Sequence, residues 1–339
     1  MTKVNTLQKW LLAIVLVLVV GLAACQGDNA GDNQEDEENS DQQTEEQANE
    51  EEESSGEEAS KEEGSSFESV TLTDKSGEEV TIEEKPEKIV TVIPSSTEIV
   101  FAVGAGDHVV GVDKWSNYPE EVADLEKVGD MNLNIEKIVE LEPDLVVADL
   151  NNAESIDSLR SAGLNVVVTG AQSLEEVYAD IEMIGQATGY ADQANDLVDD
   201  MKNRVDEIES AVSEIPEEER KKVWLEVGPE LYSGGEGSFI NELITLAGGE
   251  NIISDQEGWP QISEELIIER NPDVIFTTYG SYTENVEEQV LSRENWQDIS
   301  AIQNEEVYDI HGDQVTRPGP RLVEGLEAIA EHLYPDQVE

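Results

Sequence analysis

The residues that could carry catalysis are few and scattered along the chain. The 339 residues include three histidines, His108, His311 and His332, and their spacing matches no metal-binding motif. Ser95 lacks the Gly-x-Ser-x-Gly setting of a hydrolase nucleophile and instead lies at the start of a predicted helix. The sequence therefore predicts neither a metal site nor an enzyme. A surface metal-dependent hydrolase and a purely adhesive lipoprotein are two functions that the sequence disfavours and that we keep as remote alternatives.

Two glutamates occupy matching positions in a unit that occurs twice. Residues 134–147 and 263–276 align without a gap, and the alignment matches Glu136 with Glu265. The matched glutamates each precede an apolar stretch, a Pro-Asp pair and a second apolar run. A pattern kept over this length needs a structural explanation.

Each unit predicts a short amphipathic helix followed by a buried strand. Asn134 and Ser263 are suited to cap the two helices, which places both glutamates in a first turn, where negative charge suits the helix dipole. Proline ends each helix, at 143–144 and 272–273, because it lacks a backbone donor and disfavours helix in the preceding residue. Either two ordinary αβ units share this pattern by chance, or the chain holds two similar lobes.

Short strands alternate with short helices around the first unit. Residues 67–82 read as a β-hairpin, and Ser95 with Glu98 forms a predicted capping box that opens the next helix. This alternation is typical of parallel βα units and predicts an α/β lobe over 67–172. Ligands of such sheets bind at the carboxyl ends of the strands, where the aromatic loop 115–118 is expected.

The segment 173–215 is predicted to link two lobes. It holds no proline, and its apolar residues recur at helical spacing. Gly185 and Gly189 are interpreted as glycines that a helix tolerates at some cost in stability. The segment is therefore predicted to be one long helix, or a helix with one break, that ends at Pro216. A helix of about 35 residues would be about 50 Å long, which suits a rigid strut between lobes.

The C-terminal part, residues 216–339, repeats the plan of the first lobe. A strand over 221–227 leads through the glycine-rich loop 232–238 into a helix over 239–246. The loop lacks the Gly-Lys-Ser/Thr of a phosphate loop, and it is either a helix start or a ligand contact. The predicted fold class is α/β, with two lobes of parallel-type sheets joined by one long rigid helix.

The N-terminus has the plan of a secretory signal. Two lysines precede an apolar run at 10–24, which is too short to span a membrane, and Cys25 follows as the one cysteine of the chain. Leu-Ala-Ala-Cys at 22–25 is similar to a bacterial lipobox. We therefore expect residues 1–24 to be a lipoprotein signal peptide and Cys25 to be lipidated, with an uncleaved anchor as the alternative.

An acidic segment separates Cys25 from the folded part. Residues 26–66 hold 17 acidic residues and one lysine, with almost no apolar side chain, so they predict a disordered, self-repelling tether. The net charge of the whole chain is -60, and the folded part stays acidic. This charge argues against a nucleic-acid partner, which requires a basic face.

Six motifs follow one another along the folded part. They are Ile-Pro-Ser-Ser-Thr-Glu-Ile at 93–99, Tyr-Pro at 118–119, Glu…Pro-Asp-Leu-Val at 136–146, Gly-Gly-Glu-Asn-Ile at 248–252, Trp-Pro-Gln-Ile-Ser at 259–263 and Arg-Pro-Gly-Pro-Arg at 317–321. In this order they resemble the substrate-binding components of ABC importers for vitamin B12, iron-siderophores and haem. The resemblance covers about residues 67–335. It implies two α/β lobes joined by one long helix, with a ligand cleft between the lobes.

Within that family, the Trp-Pro-Gln-Ile-Ser and Tyr-Pro motifs are most similar to the vitamin-B12-binding branch. The resemblance implies five ligand-binding residues: Trp115, Tyr118, Tyr232, Trp259 and Arg317. Aromatic walls with a few donors suit a corrinoid, which is a large, flat, amphipathic ring with amide arms. Gly-Asp-Met at 129–131 stands where a further aromatic would be expected, which leaves a ferric siderophore or haem as alternative ligands.

The resemblance also implies the partners of this chain. Glu136 and Glu265, one from each lobe, would contact arginines on the two subunits of an ABC permease dimer, which works with ATPase subunits. We expect a monomeric binding protein without enzymatic activity or cofactor, which captures a small-molecule ligand. The lipid anchor would hold it on the extracytoplasmic face of the cell membrane, on the outer surface of a Gram-positive cell.

Overall fold

The structure is a computed structural model that describes residues 67–338. The predicted signal peptide, the lipidation site Cys25 and the acidic tether lie outside the described residues. Among the helices of residues 67–338, none combines the length and apolar character that crossing a membrane requires.

The N-terminal lobe starts with a hairpin and continues as alternating strands and helices. Its elements are β1 (Val70–Thr73), β2 (Glu79–Ile82), β3 (Ile89–Thr91), α1 (Pro94–Ala102), β4 (Val109–Val112), β5 (Glu126–Lys127), α2 (Ile135–Glu140), β6 (Leu145–Asp149), α3 (Ala153–Ser161) and β7 (Val166–Thr169). Strands β1 and β2 pair antiparallel, as predicted. The other five form a parallel sheet in the order β5-β4-β3-β6-β7.

Two helices, rather than a single one, occupy the linking segment. They are α4 (Leu174–Thr188) and α5 (Ala191–Val212). Helix α5, 22 residues and about 33 Å long, is the long helix that joins the lobes. It packs against the C-terminal lobe, whereas α4 packs on α1, β1 and β7.

The break between these helices comes from the glycines. The interpretation of Gly185 and Gly189 as tolerated costs within one helix is wrong, and the alternative of a helix with one break is what the structure shows. Gly189 ends α4 with a φ of 77°, a left-handed conformation that favours glycine. A Cβ on Gly185 would lie 2.3 Å from the Cβ of Ala194, so the close approach of α5 also requires glycine.

The C-terminal lobe repeats the strand and helix alternation. Its elements are β8 (Lys222–Glu226), α6 (Phe239–Leu246), β9 (Glu250–Asn251), α7 (Glu264–Arg270), β10 (Val274–Thr277), α8 (Val286–Leu291), α9 (Ser300–Gln303), β11 (Val307–Asp309), α10 (Asp313–Thr316) and α11 (Leu322–Leu333). Its four strands are parallel in the order β11-β10-β8-β9. Both sheets therefore confirm the predicted α/β fold with two lobes.

The repeated unit has the same structure in both lobes. Asn134 and Ser263 cap α2 and α7 by accepting the N–H of the residue three positions on, at 3.0 and 3.3 Å. The repeated aspartate then accepts a backbone N–H at the start of the neighbouring strand: Asp144 from Lys88 and Asp273 from Lys222, both at 2.9 Å. This bond ties each helix–strand unit to the next strand of its sheet.

The largest hydrophobic core runs through both lobes. It contains strand residues of the N-terminal sheet, the inner faces of α4 and α5, and residues of β8, α6 and α11. Two smaller cores fill the opposite faces of the two sheets. Since apolar burial is continuous across α5, a wide separation of the lobes would expose this core.

Candidate functional site

The carboxyl ends of the two sheets meet between the lobes. Asn117, in the loop after β4, donates to Asp313 of α10 at 3.3 Å and accepts from Arg317 at 2.7 Å. Glu98 of α1 contacts Arg321 at the start of α11. These contacts border the predicted cleft, because α1 follows β3 and α10 follows β11.

The N-terminal side of the cleft presents Trp115 and Tyr118. Their side chains are 61% and 45% exposed, which is unusual for large aromatics in a folded chain. The N–H of Trp115 donates to Asp113 Oδ2 at 2.7 Å, and the ring lies 4.6 Å from the Lys114 ammonium. Tyr118 lies beneath Arg321 of the other lobe, with the guanidinium 4.1 Å from the ring centre.

A buried chain of hydroxyl groups fixes this aromatic loop. Thr91 and Thr97 are joined through their hydroxyls at 2.6 Å, and Thr97 contacts the Ser116 hydroxyl at 2.7 Å. Ser116 in turn donates to the Asp113 carboxylate. The loop between Trp115 and Tyr118 is therefore anchored to the ends of β3 and β4 rather than free in solvent.

The C-terminal lobe exposes Tyr232 and Trp259, which are 44% and 43% accessible to solvent. They lie on two loops that form a short ladder. Ser233 N–H donates to Pro260 at 3.2 Å, and Ile262 N–H donates to Leu231 at 2.9 Å. Backbone pairing thus holds the two aromatic rings on one wall.

A cluster of charged side chains joins the lobes behind the aromatics. Glu98 is buried and receives two bonds from Arg321, at 2.7 and 2.8 Å, and one from Arg317, at 3.0 Å. Arg317 also pairs with Asp313 at 3.0 Å. Burial acts to lower the pKa of Arg321, but the Glu98 carboxylate outweighs it and the pKa is raised. Arg321 is therefore held as a charged partner of Glu98.

This cluster corrects one prediction and refines another. The capping box of Ser95 and Glu98 is wrong: α1 begins at Pro94 after Ile93, without a side-chain cap. Proline is suited to the first turn because its missing N–H has no partner there in any case. The structure places Arg317 between the lobes, where it is already engaged by carboxylates.

The C-terminal lobe holds a second buried carboxylate within itself. Glu226, at the end of β8, is fully buried and accepts two bonds from Arg293, at 2.7 and 2.8 Å. Trp224 Nε1 donates to it at 3.2 Å, and the Tyr279 hydroxyl donates to its other oxygen. Burial and the neighbouring Glu226 raise the pKa of Tyr279, so this phenol stays a proton donor.

The repeated glutamates lie on the surface. Glu136 and Glu265 are exposed in the first turns of α2 and α7. Within residues 67–338, neither forms an ion pair or a side-chain hydrogen bond. Their neighbours do: Lys137 pairs with Glu126, and Arg270 pairs with Asp255.

The histidines are not brought together. His108 contacts the Tyr190 hydroxyl at 3.2 Å, whereas His332 stacks on Tyr308 at 4.2 Å between ring centres. Among the residues that the structure describes, no group of three or more His, Cys, Asp or Glu side chains could hold a metal ion.

Sequence reasoning missed several residues of this region. The two arginines of the 317–321 motif were visible, but their partner Glu98 lies more than 200 positions away, and its local pattern indicated a helix cap instead. Met131 is exposed at the position where an aromatic was expected, and Tyr282 is exposed after β10. Two tyrosines, Tyr279 and Tyr282, in the loop that follows a predicted strand are the sequence signal that could have pointed to this loop.

Comparison with known proteins gives the class. The periplasmic binding protein family matches residues 89–314. An uncharacterized ABC transporter substrate-binding lipoprotein of Bacillus subtilis, YvrC, is 44% identical over 274 residues, which cover 79% of this chain and 86% of that protein.

Solved structures agree with this match. A possible iron-binding (periplasmic solute-binding) protein of Staphylococcus epidermidis is 35% identical, with a TM-score of 0.65 over 74% of this chain and 100% of that one. The periplasmic vitamin B12-binding protein of Vibrio cholerae is 27% identical, with a TM-score of 0.65 over 75% and 99% of the two chains.

The chain therefore belongs to the periplasmic binding protein family. It is a substrate-binding protein of the kind that serves ABC transporters, and it is not an enzyme.

Proposed function

We propose that this protein captures a corrinoid between its lobes and delivers it to an ABC permease. The observation that carries the proposal is the exposure of four large aromatics, Trp115 and Tyr118 on one lobe and Tyr232 and Trp259 on the other, which we take as the two walls of the ligand site. Flat, exposed rings on both sides suit a large planar ligand, since they bury much apolar area at little cost in side-chain entropy.

The charges near the cleft favour a ligand without net negative charge. Arg317 and Arg321 are paired with Glu98 and Asp313, and Arg293 is paired with Glu226. An anionic ligand would have to break these pairs and leave a carboxylate unpaired, which costs several kcal/mol, on the order of 3–5. A corrinoid has uncharged amide arms, so it can bind without breaking these ion pairs.

Arg317 remains a proposed ligand contact. Two carboxylates hold its guanidinium, and its bond to the Asn117 side-chain oxygen is a neutral amide contact. An amide arm of the ligand offers the same acceptor chemistry and could replace Asn117.

A ferric siderophore is the second candidate ligand, and haem is a third. The Staphylococcus epidermidis structure, described as possibly iron-binding, favours the siderophore, whereas the Vibrio cholerae structure favours the corrinoid. Met131 stands in the segment where the corrinoid-binding branch would have an aromatic, and this departure supports keeping the siderophore and haem as alternative ligands.

Titration calorimetry of the full-length protein in detergent tests the ligand. We expect cyanocobalamin to bind with a stoichiometry of one, and Trp259→Ala to weaken binding at least about tenfold, the equivalent of about 1.4 kcal/mol. A ferric siderophore set and haemin are titrated beside it. Binding of a ferric chelate without binding of cobalamin would reject the corrinoid and keep the transport role.

We infer that Glu136 and Glu265 dock on the permease dimer. Both are exposed, both lie in the first turn of equivalent helices, and neither has a partner within the described residues. Two similar lobes can each present one carboxylate to one subunit of a symmetric partner. Charge pairs of this kind guide orientation and association.

Uptake of radiolabelled cobalamin by whole cells tests the docking residues. We expect Glu136→Ala together with Glu265→Ala to abolish most uptake while the calorimetric affinity for cobalamin stays unchanged. Glu140→Ala is the matched control, because Glu140 is an exposed acid on the same helix as Glu136. Uptake at the wild-type rate in the double variant would reject the docking role.

The proposed setting is the outer face of a Gram-positive cell membrane. The protein would be a monomer attached through lipidated Cys25, with the acidic segment as its tether and residues 67–172 and 216–339 as its lobes. Cys25→Ala should release the protein into the medium, and retention at the membrane would reject the lipid anchor.

A further inference from the structure

A fifth aromatic lies at the carboxyl edge of the C-terminal sheet. Tyr282 follows β10 and is 71% exposed, which is more than any of the four proposed cleft aromatics. A large ring exposed to this degree either has no binding role or forms part of a binding surface.

The loop that carries Tyr282 is firmly held. The N–H groups of Tyr282 and Thr283 both donate to the Tyr279 carbonyl, at 3.2 and 3.0 Å. Gly280 N–H donates to Asp309 at 3.1 Å, and a Cβ on Gly280 would lie 2.0 Å from the same carboxylate. The close approach requires glycine, so Tyr282 has a defined position.

The ring of Tyr282 also rests on a rigid support. Its centre lies 6.1 Å from that of Tyr279, with the planes inclined by 34°. Tyr279 is buried and donates to Glu226, which Arg293 holds with two bonds. Hydrogen bonds to a buried ion pair therefore fix the tyrosine ring that lies next to Tyr282.

Strands β8 and β10 pair in parallel, so the loops that follow them, which carry Tyr232 and Tyr282, leave the sheet at the same edge. Partial desolvation raises the pKa of Tyr282, and the nearby carboxylates of Glu230 and Asp309 raise it further. Glu230 lies two residues before Tyr232, and its carbonyl accepts a bond from Gln261, two residues after Trp259, at 2.8 Å. Tyr282 therefore lies at the same edge of the C-terminal sheet as the paired loops that carry Tyr232 and Trp259.

We propose that Tyr282 is a ligand-binding residue and the outer part of the C-terminal wall. Its ring would pack on the flat face of the ligand, and its hydroxyl would donate to an amide arm. This inference rests on the proposed function, because it takes the ligand to be a large planar chelate. It adds a binding residue that none of the six sequence motifs contains.

The test compares two variants of Tyr282 with a matched control. Full-length protein in detergent is titrated with cyanocobalamin, with a ferric siderophore and with haemin. For the chelate that the wild type binds, we expect Tyr282→Ala to raise Kd about tenfold or more and Tyr282→Phe about threefold to tenfold, since a neutral hydrogen bond contributes about 1 kcal/mol. Tyr190→Phe is the matched control. It removes a hydroxyl that contacts His108, and neither residue belongs to the loops that carry the proposed ligand contacts, so we expect Kd to stay unchanged.

The outcomes separate this inference from the proposed function. Loss of affinity in Trp259→Ala together with wild-type affinity in Tyr282→Ala would overturn the role of Tyr282 and keep the function. A wild-type protein that binds none of the three chelates would overturn both. Equal thermal midpoints of the Tyr282 variants and the wild type confirm that a loss of affinity is not a loss of folding.

Discussion

The two lobes hold the carboxyl ends of their sheets with different chemistry. The N-terminal lobe uses a chain of hydroxyls, which runs from Thr91 through Thr97 to Ser116. This chain ends on the buried Asp113 carboxylate, which has no arginine partner among the described residues. The C-terminal lobe buries an ion pair of its own, between Glu226 and Arg293. The N-terminal lobe also buries a carboxylate, Glu98, but its arginine partners belong to the other lobe.

The difference separates two roles of a buried ion pair: one pair stabilises a single lobe, and the other holds the two lobes together. Glu226 is neutralised by a residue of its own lobe, so its network does not depend on the contact between the lobes. Glu98 is neutralised only when α1 and the segment before α11 come together. A buried carboxylate without its partner is costly, and Glu98 therefore favours the closed association of the lobes.

Removal of Arg293 should have the largest effect of the changes considered. Arg293→Ala leaves Glu226 fully buried with only neutral donors, and we expect a loss of about 3–5 kcal/mol in the free energy of unfolding, measured with urea. Arg204→Ala is the matched control. Arg204 makes an equally short pair with Glu327, at 2.7 and 2.8 Å, but that pair is partly exposed. The control should lose about 1 kcal/mol or less.

Removal of Arg321 should cost less than removal of Arg293. Arg321→Ala leaves Glu98 with Arg317 at 3.0 Å, so we expect a loss of about 1–3 kcal/mol in the same urea experiment. The double variant Arg317→Ala, Arg321→Ala should approach the loss in Arg293→Ala. A single variant as damaging as Arg293→Ala would show that Arg317 does not share the charge of Glu98.

Exchange of one residue between the lobes should have the smallest effect. Glu142 and Asn271 occupy matching positions after the repeated helices, with left-handed φ values of 51° and 47°. Asparagine tolerates this conformation better than glutamate. We therefore expect Glu142→Asn to stabilise the protein by about 0.5 kcal/mol in urea unfolding.

The reverse exchange should destabilise. Asn271 also bonds to Ser300 through both its side-chain oxygen and its nitrogen, each at 2.8 Å, and glutamate cannot reproduce this pair. Asn271→Glu should cost about 1–2 kcal/mol in urea unfolding. Changes of equal size and sign at the two positions would contradict the equivalence of the repeats.

Local signals predicted most of the fold. The caps Asn134 and Ser263 and the Pro-Asp pairs specify neighbouring backbone, and the structure confirms both units. The break at Gly189 was only one of two predicted forms, because helical spacing continues across it and only the φ of 77° distinguishes the cap from a tolerated glycine.

The candidate site was predictable only in its aromatics. Trp115, Tyr118, Tyr232 and Trp259 are exposed, as ligand contacts must be, although their role stays a proposal. The partners of Arg317 and Arg321 could not be predicted, since Glu98 lies on another lobe and reads locally as a helix-capping acid. Contacts between lobes depend on tertiary packing, which no local pattern encodes.

The central claim is that one ligand site is shared by walls from both lobes. Calorimetric titration of cyanocobalamin into wild type, Trp115→Ala and Trp259→Ala tests it directly, with one variant from each lobe. The account predicts a stoichiometry of one and a rise in Kd of about tenfold or more in each variant. A stoichiometry of two, or a tryptophan on either lobe whose removal leaves Kd unchanged, would contradict it.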